Sequence, residues 1–336
     1  MLGRAKLSPD ETRLLALSPG GIARFREVQE GMDRSIIVTP EANGLSYTAR
    51  VNGRIVDVDA STMSWLSKIM PEVLRESAVD VAQRVTRLRS AGGVDNVLRT
   101  IAQIRSPAAK AAHYKALLGT GDFDQNEIDR IARAAGRDLA SNPTDLKGVI
   151  GLMSPLPHSR GKYPSTEAKA AIQQSVETAI QNAKSTSEKA SLLTQYAIGG
   201  DSDAVLMALQ GAKDLTSDTD KSTLLKTVAA PALTSRNPAV RRAYFEAFAT
   251  LTSDFDGRAV LVAAIPYAHA NPAVTLDVIN GTLHLTSTTD QAEVLIAVAK
   301  QRLLISPDLT KAYMAAAKKI SSSYDQSRVL QAAIQQ

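Results

Sequence analysis

Histidine, cysteine and serine motifs decide which covalent and metal chemistry this chain could perform. The 336 residues contain no cysteine, which excludes disulfides, thiolate zinc sites, iron–sulfur clusters and a cysteine nucleophile. The four histidines, His113, His158, His269 and His284, are far apart and form no H-E-x-x-H motif or i,i+4 pair. G-x-S-x-G, P-loop and dinucleotide-binding patterns are also missing from the sequence. We therefore predict no catalytic residue, no metal site and no cofactor, and expect the chain not to be an enzyme.

An acidic residue recurs at regular intervals and could be mistaken for a catalytic or metal-binding series. A Ser or Asn lies three residues before it in six places: Asn142/Asp145, Ser185/Glu188, Ser217/Asp220, Ser253/Asp256, Ser287/Asp290 and Ser322/Asp325. This is the capping-box spacing, in which the side-chain oxygen accepts the N–H of the third helical residue and the carboxylate favours the positive helix end. Asp is shorter than Glu, so the reciprocal bond should be weaker. These pairs are predicted to be structural helix caps.

Basic residues are concentrated in one stretch of the chain. Residues 84–137 hold ten Lys and Arg against five Asp and Glu, an excess equal to the formal net charge of +5 of the whole chain. One interpretation is a surface that contacts phosphates of a nucleic acid or another anionic polymer. Its candidate residues are Arg84, Arg87, Arg89, Arg130 and Arg133. The other is an ordinary solvated helix face, since no aromatic residues alternate with the arginines to stack on bases.

An internal repeat predicts the helices on which these residues lie. The helix-cap anchors at 109, 145, 188, 220, 256, 290 and 325 are separated by 32 to 43 residues. Apolar residues follow the later anchors at helical spacing, as in Leu224, Leu225, Val228 and Ala229. A second phrase, Asn or Ser before Pro, marks the other helix of each pair at Asn237-Pro238, Asn271-Pro272 and Ser306-Pro307.

This period predicts a right-handed α-solenoid of helix pairs, similar to HEAT repeats, with about seven units of roughly 35 residues. We assign residues 101–336 to the solenoid. The longest interval contains a segment rich in Pro and Gly near 154–164, which we interpret as an inserted loop. His158 lies in this segment and is the histidine with the strongest case for contacting a ligand.

The N-terminal segment has the pattern of a small sheet. Short apolar stretches between turn signals predict four or five antiparallel strands in meander order within residues 1–60, and Asn52-Gly53 is a strong hairpin signal. Residues 61–100 are predicted to form linking helices that pack on the sheet, with Trp65 at the contact. The fold class is thus α+β, mainly α, with a β-meander domain preceding the solenoid.

Solenoid surfaces commonly bind peptides or protein domains. Aromatic residues in neighbouring repeats form the candidate partner-binding set: Tyr244, Phe245, Phe248, Tyr267 and Tyr313. Packing in the core is the alternative role for most of them. The chain has no apolar run approaching the roughly 18 residues of a membrane span, so we expect no membrane insertion.

Two capping phrases carry a resemblance to a known family: Ser253-Asp254-Phe255-Asp256 with Val260-Leu261, and Ser322-Ser323-Tyr324-Asp325 with Val329-Leu330. They are similar to the S-D-Y-E…V-L repeat in the C-terminal regions of bacterial BlaR/MecR-like, M56-type regulatory membrane proteins. N-terminal segments also resemble that family: Leu17–Gly21, Val51–Arg54, Leu66–Leu74, Arg84-Val85 and Gly92–Asp95. The resemblance covers about two thirds of the chain.

The resemblance implies a soluble sensory or interaction region that, in those proteins, lies beyond a membrane-embedded peptidase domain. The present sequence lacks the membrane helices and the H-E-x-x-H motif, so no peptidase activity is carried over. The expected location is periplasmic if the chain is part of a longer protein of this kind, and cytoplasmic otherwise. Its oligomeric state stays open.

The function predicted from the sequence is a non-enzymatic interaction or sensory module that binds a protein or peptide on the solenoid surface, and the resemblance implies a bacterial envelope regulatory system. The alternative is a binder of nucleic acid or an anionic polymer through residues 84–137.

Overall fold

Six strands and fifteen α-helices form the part of the chain that this computed structural model describes, residues 3–153 and 164–335. The described residues are mainly helical, with a small antiparallel strand region at the N-terminus. The chain divides into two compact units, Met1–Asp122 and Phe123–Gln336. Residues 101–122, which the sequence analysis assigned to the solenoid, therefore belong to the first unit. The predicted inserted loop and His158 lie at 154–163, outside the described residues.

The strands of the first unit form two antiparallel sheets. A two-stranded sheet pairs β1 with β2, and a four-stranded sheet follows the order β3-β4-β5-β6, which is the predicted meander. The short β1 was not predicted. The strands are β1 Ala5–Leu7, β2 Leu14–Leu17, β3 Ala23–Gln29, β4 Met32–Glu41, β5 Gly44–Val51 and β6 Arg54–Val56. Asn52 and Gly53 connect β5 to β6 with φ of 50° and 80°, as a type I′ turn requires.

Three helices complete the first unit: α1 Ala60–Ser77, α2 Val81–Ala102 and α3 Pro107–Leu118. Asp59 caps α1 by accepting the Thr62 N–H at 2.7 Å. The apolar face of α1 joins the inner face of the sheet in one buried cluster. The Trp65 indole N–H donates to Glu27 of β3 at 2.8 Å, which confirms that Trp65 holds this helix against the sheet.

The second unit consists of twelve α-helices within its described residues. They are α4 Gln125–Leu139, α5 Pro143–Met153, α6 Thr166–Asn182, α7 Thr186–Gly199, α8 Ser202–Lys213, α9 Asp218–Leu233, α10 Pro238–Phe248, α11 Asp254–Ala264, α12 Pro272–Gly281, α13 Thr288–Lys300, α14 Pro307–Ala317 and α15 Ser323–Ile334. Single 3₁₀ turns, Ile265–Tyr267 and Thr282–His284, follow α11 and α12.

The helices of the second unit pack in a repeating order. Each odd-numbered helix from α5 to α13 contacts the next odd-numbered helix, and α8, α10, α12 and α14 form a parallel series of contacts. Most consecutive helices also touch, so two layers of helices share one core. That core is a single cluster of buried side chains running from Ala190 to Val329.

The predicted caps explain where the odd-numbered helices begin. Ser217, Ser253, Ser287 and Ser322 each accept the backbone N–H of the acidic residue three positions later, Asp220, Asp256, Asp290 and Asp325, all at 3.2 Å. Their roles as structural caps are confirmed. The full reciprocal box is present at Asp124 and Glu127, where the longer glutamate reaches back to the backbone of the cap. Pro238, Pro272 and Pro307 begin α10, α12 and α14, as predicted.

Candidate interaction surfaces

Asp218 and Asp254 link each capping segment to the next along the second unit. Asp218 accepts the N–H of Thr252 at 2.9 Å, its hydroxyl at 2.7 Å and the N–H of Ser253 at 2.7 Å. Asp254 repeats these bonds with Thr286 and Ser287 at 2.6 to 2.8 Å. Partial burial opposes ionisation, but these hydrogen bonds prevail and hold the pKa of both carboxyls below their ordinary 3.8. Each carboxylate therefore joins two repeats.

Comparable contacts extend the series in both directions. The hydroxyl of Thr144 bonds Glu188 at 3.0 Å, and that of Thr186 bonds Thr216 at 3.0 Å. The Thr288 hydroxyl bonds Asp325 at 3.3 Å. The capping segments consequently follow one another along one edge of the unit. We call this edge, formed by residues 185–188, 217–220, 253–256, 287–290 and 322–325, the cap edge.

Two aromatic side chains are exposed on the cap edge. Phe255 is 67% exposed and Tyr324 is 73% exposed, and both occupy the second position of their helices. The same position carries Ser187, Thr219 and Thr289 in the other repeats. Neither residue was predicted as a site residue, because the repeated phrase was interpreted only as a capping pair. The alternation of aromatic and small polar residues between a cap and its acid was the available signal.

An arginine lies over each exposed ring. The guanidinium of Arg258 is 5.3 Å from the Phe255 ring centre, and that of Arg328 is 5.7 Å from the Tyr324 ring centre. The Arg258 Nε lies 2.9 Å from a carboxylate oxygen of Asp290 in the next repeat. Arg328 is similarly fixed by Glu293 and Asp325, at 2.6 and 3.2 Å. Neighbouring repeats therefore hold both aromatic–arginine pairs in position.

The predicted aromatic patch requires correction, because three of its five members are in the core. Tyr244 and Tyr313 are 0% exposed and Phe248 is 2% exposed, so none of them can form a docking surface. The Tyr313 hydroxyl donates to the Val329 carbonyl at 2.9 Å, whereas the Tyr244 hydroxyl is buried without a hydrogen-bond partner among the described residues. Burial raises the pKa of both phenols.

The other two members of the patch, Phe245 and Tyr267, are partly buried and pack against the same core. The ring of Phe245 lies edge-on to that of Tyr244, with centres 5.2 Å apart. The expected patch therefore reduces to the outer surfaces of two separate rings.

Internal contacts engage most of the candidate basic residues. The Arg84 side chain is 4% exposed and lies 2.8 Å from Glu11, so it is not accessible to a phosphate. Arg87 pairs with the same carboxylate at 2.5 Å. Arg89 donates to the carbonyls of Gly121 and Asp122 at 2.6 and 2.5 Å. These three arginines stabilise the first unit.

The two remaining candidates belong to the second unit. Arg130 and Arg133 both lie on α4, where Arg133 is exposed and Arg130 donates to the Asn126 carbonyl at 3.3 Å. The stretch 84–137 thus spans two units, and its arginines do not all lie on one helix face.

The described histidines form no cluster. His113 is fully buried, with Nδ1 2.8 Å from the Ala109 carbonyl and Nε2 without a described partner. Burial lowers the pKa of His113, and the nearby charges of Arg84 and Arg75 act in the same direction. His284 is exposed, with its ring edge-on to Phe248 at 6.0 Å. Across residues 3–153 and 164–335, no group of three His, Asp or Glu is arranged to hold a metal ion.

A cleft of about 640 Å³ opens between α6 and α8 in the second unit. Lys169 and Asp201 form an ion pair of 2.7 Å at its wall, and Ile172 and Ile198 provide apolar lining. Tyr196 also lines the cleft, where burial and the carboxylates of Asp201, Glu177 and Asp203 raise its pKa to about 12. The phenol therefore stays protonated near neutral pH and can act as a hydrogen-bond donor.

Comparisons with protein-family models, curated proteins and solved structures find no match to this chain. The resemblance to BlaR/MecR-like proteins therefore stays a prediction. Among the described helices, none combines the length and apolar character needed to cross a membrane.

Proposed function

We propose that this chain is an interaction module, in which a right-handed HEAT-like α-solenoid binds a protein or peptide partner along its cap edge. The observation that carries the proposal is the exposure of Phe255 and Tyr324 at equivalent positions. The proposed role is non-enzymatic, and a sensory role in a bacterial envelope system is the form that the family resemblance would give it.

The packing order of the helices supports the solenoid. In stacked helix pairs, each helix contacts the equivalent helix of the next pair, and the odd-numbered helices and α8 to α14 show this order. The bonds of Asp218 and Asp254 to the following repeats support it as well, because they recur with the period of the sequence. A stack of this kind offers a long, rigid surface whose side chains are held at fixed intervals.

The chemistry of the cap edge favours a protein or peptide. Aromatic and arginine side chains dominate binding energy at protein interfaces, and here each ring already lies beside an arginine. Phe255 and Tyr324 begin helices separated by one intervening odd-numbered helix. With about 10 Å between packed helices, the two rings are roughly 20 Å apart. An extended peptide of about six residues spans that distance.

Affinity capture from the native host tests the proposal when three versions of the chain are compared. The wild type should retain a discrete protein at high salt. The amount of that protein retained by Phe255→Ala/Tyr324→Ala should be at least tenfold lower, because both anchoring rings are removed. The control Leu276→Ala/Ile305→Ala, which truncates exposed aliphatic residues outside the cap edge, should retain it. Equal loss in both double variants, or no protein retained by the wild type, would contradict the proposal.

The alternative function, binding of nucleic acid or an anionic polymer through residues 84–137, makes a different prediction. Only polyanions would then be recovered, and they would be lost as salt rises. Because Arg84 and Arg87 are paired with Glu11, the exposed Arg133 is the residue through which this alternative is best tested.

A further inference from the structure

The four-stranded sheet has an outer face opposite to α1, and its register shows which residues form it. Arg26, Ser35, Arg50 and Ile55 are aligned across the four strands. A second row, two residues along β3, contains Arg24, Ile37 and Thr48. The alternating rows, which include Phe25, Ile36 and Ala49, belong to the buried cluster beneath.

The two rows are basic and partly aliphatic, and the carboxylates of the same face, Asp33 and Glu41, lie in the rows beyond them. Arg24 and Arg50 are exposed, and neither pairs with a carboxylate among the described residues. Arg26 pairs with Asp33 at 2.8 Å and is still 62% exposed. Ile55 and Val28, at opposite edges of the face, are 68% and 65% exposed.

We propose that this outer face, carrying Arg24, Arg26 and Arg50 among exposed aliphatic side chains, docks on an anionic phospholipid surface. The guanidinium groups of Arg24 and Arg50, which pair with no described carboxylate, bind lipid phosphates bidentately, while Ile55 and Val28 enter the boundary between headgroups and acyl chains. The inference does not depend on the proposed function, which uses the other unit of the chain.

The size and composition of the face favour lipid over a protein partner or a single-stranded nucleic acid. The face extends about 15 Å across the four strands and about 13 Å along β3 from Arg24 to Val28, roughly 200 Å², whereas a stable protein interface needs about 800 Å² from each partner. Single-stranded nucleic acid would require aromatic side chains for base stacking. The sheet aromatics, Phe25 and Tyr47, lie in the rows that face α1.

Sedimentation with sucrose-loaded vesicles tests the docking. The full chain is mixed with vesicles of phosphatidylcholine alone, or of phosphatidylcholine containing about one third phosphatidylglycerol. We expect the wild type to bind only the anionic vesicles, with a partition coefficient that falls as salt rises. Arg24→Glu/Arg50→Glu should lower that coefficient by about 20-fold or more, since each arginine near an anionic surface contributes about fivefold.

A matched charge reversal in the second unit provides the control. Lys226 and Arg242 are exposed on α9 and α10, and Lys226→Glu/Arg242→Glu changes the net charge by the same amount. This variant should bind within about twofold of the wild type. Circular dichroism should show native helicity in both variants. Equal loss in the two double variants, equal binding to neutral vesicles, or binding to a duplex oligonucleotide without binding to vesicles would overturn the proposal.

Discussion

The carboxylate of Asp254 accepts the backbone N–H of Ser287 at 2.8 Å, across 33 residues of sequence. Ser287 in turn caps α13 by accepting the N–H of Asp290. One side chain in the first turn of α11 thereby fixes the segment from which another helix starts. Asp218 does the same for Ser253 and α11, so the same set of bonds holds two successive junctions of the cap edge.

Replacing Asp254 with alanine should lower the free energy of unfolding by about 1–3 kcal/mol, because two backbone donors and a hydroxyl lose their shared acceptor. Chemical unfolding followed by circular dichroism measures the change. Asp308→Ala is the matched control, since Asp308 is also in a first helical turn, is exposed, and makes no side-chain hydrogen bond to a described residue. The two variants should differ clearly, and equal stabilities would show that the bonds of Asp254 contribute nothing.

The contribution of the Asp254 carboxylate to folding stability should depend on pH. The pKa of Asp254 is below 3.8 in the folded chain, so its contribution is present above that pH and is lost as pH falls through the folded value. The stability difference between wild type and Asp254→Ala should therefore shrink in acid. A difference that stayed constant down to the acid transition would contradict this role.

The two buried tyrosines should respond differently to loss of their hydroxyls. Tyr313→Phe removes the bond to the Val329 carbonyl and should cost about 1 kcal/mol. Tyr244→Phe removes a buried hydroxyl that has no described partner, so it should leave stability unchanged or raise it. The denaturant midpoints of the two variants measure these changes when the unfolding free energy of both depends equally on denaturant concentration. A loss for Tyr244→Phe comparable to that for Tyr313→Phe would mean that the hydroxyl is bonded in solution.

His113 should make the chain less stable as pH falls below about 6.5, because the unfolded chain then binds a proton that the folded chain resists. Its pKa is lowered mainly by burial, with Arg84 and Arg75 adding to the effect and Glu11 opposing it. His113→Gln should flatten the fall in thermal midpoint between about pH 7 and pH 5. The exposed His269 supplies the control, since His269→Gln should keep the wild-type slope. An unchanged slope in His113→Gln would contradict the assignment.

Local signals in the sequence were sufficient for most helix boundaries. Ser253 and Asp256 are three residues apart, and that spacing alone predicts the start of α11. The burial of Tyr244 and Tyr313 could also have been read from position, because both are equivalent to Val278 when the repeats are aligned on Pro238, Pro272 and Pro307. Residue type suggested a binding patch, and the helical period was the better guide.

Contacts between residues far apart in the chain could not be predicted from the sequence. Glu11 lies 73 residues before Arg84, and nothing in either neighbourhood signals that they form an ion pair. The outer sheet face depends on register in the same way, since Arg26 and Arg50 are brought level only by pairing through Ser35. The exposure of Phe255 could have been predicted, because it lies between the capping serine and the acidic residue, at the second position of its helix.

Photo-crosslinking tests whether a partner protein binds along the cap edge. A benzophenone amino acid is placed at Phe255, at Tyr324 or at Ile305, a residue between α13 and α14 with the same 67% exposure as Phe255. We expect the first two positions to crosslink to the same partner protein in the native host, and we expect no crosslink from the third. Crosslinks at Ile305 without any at Phe255 and Tyr324 would contradict binding along the cap edge.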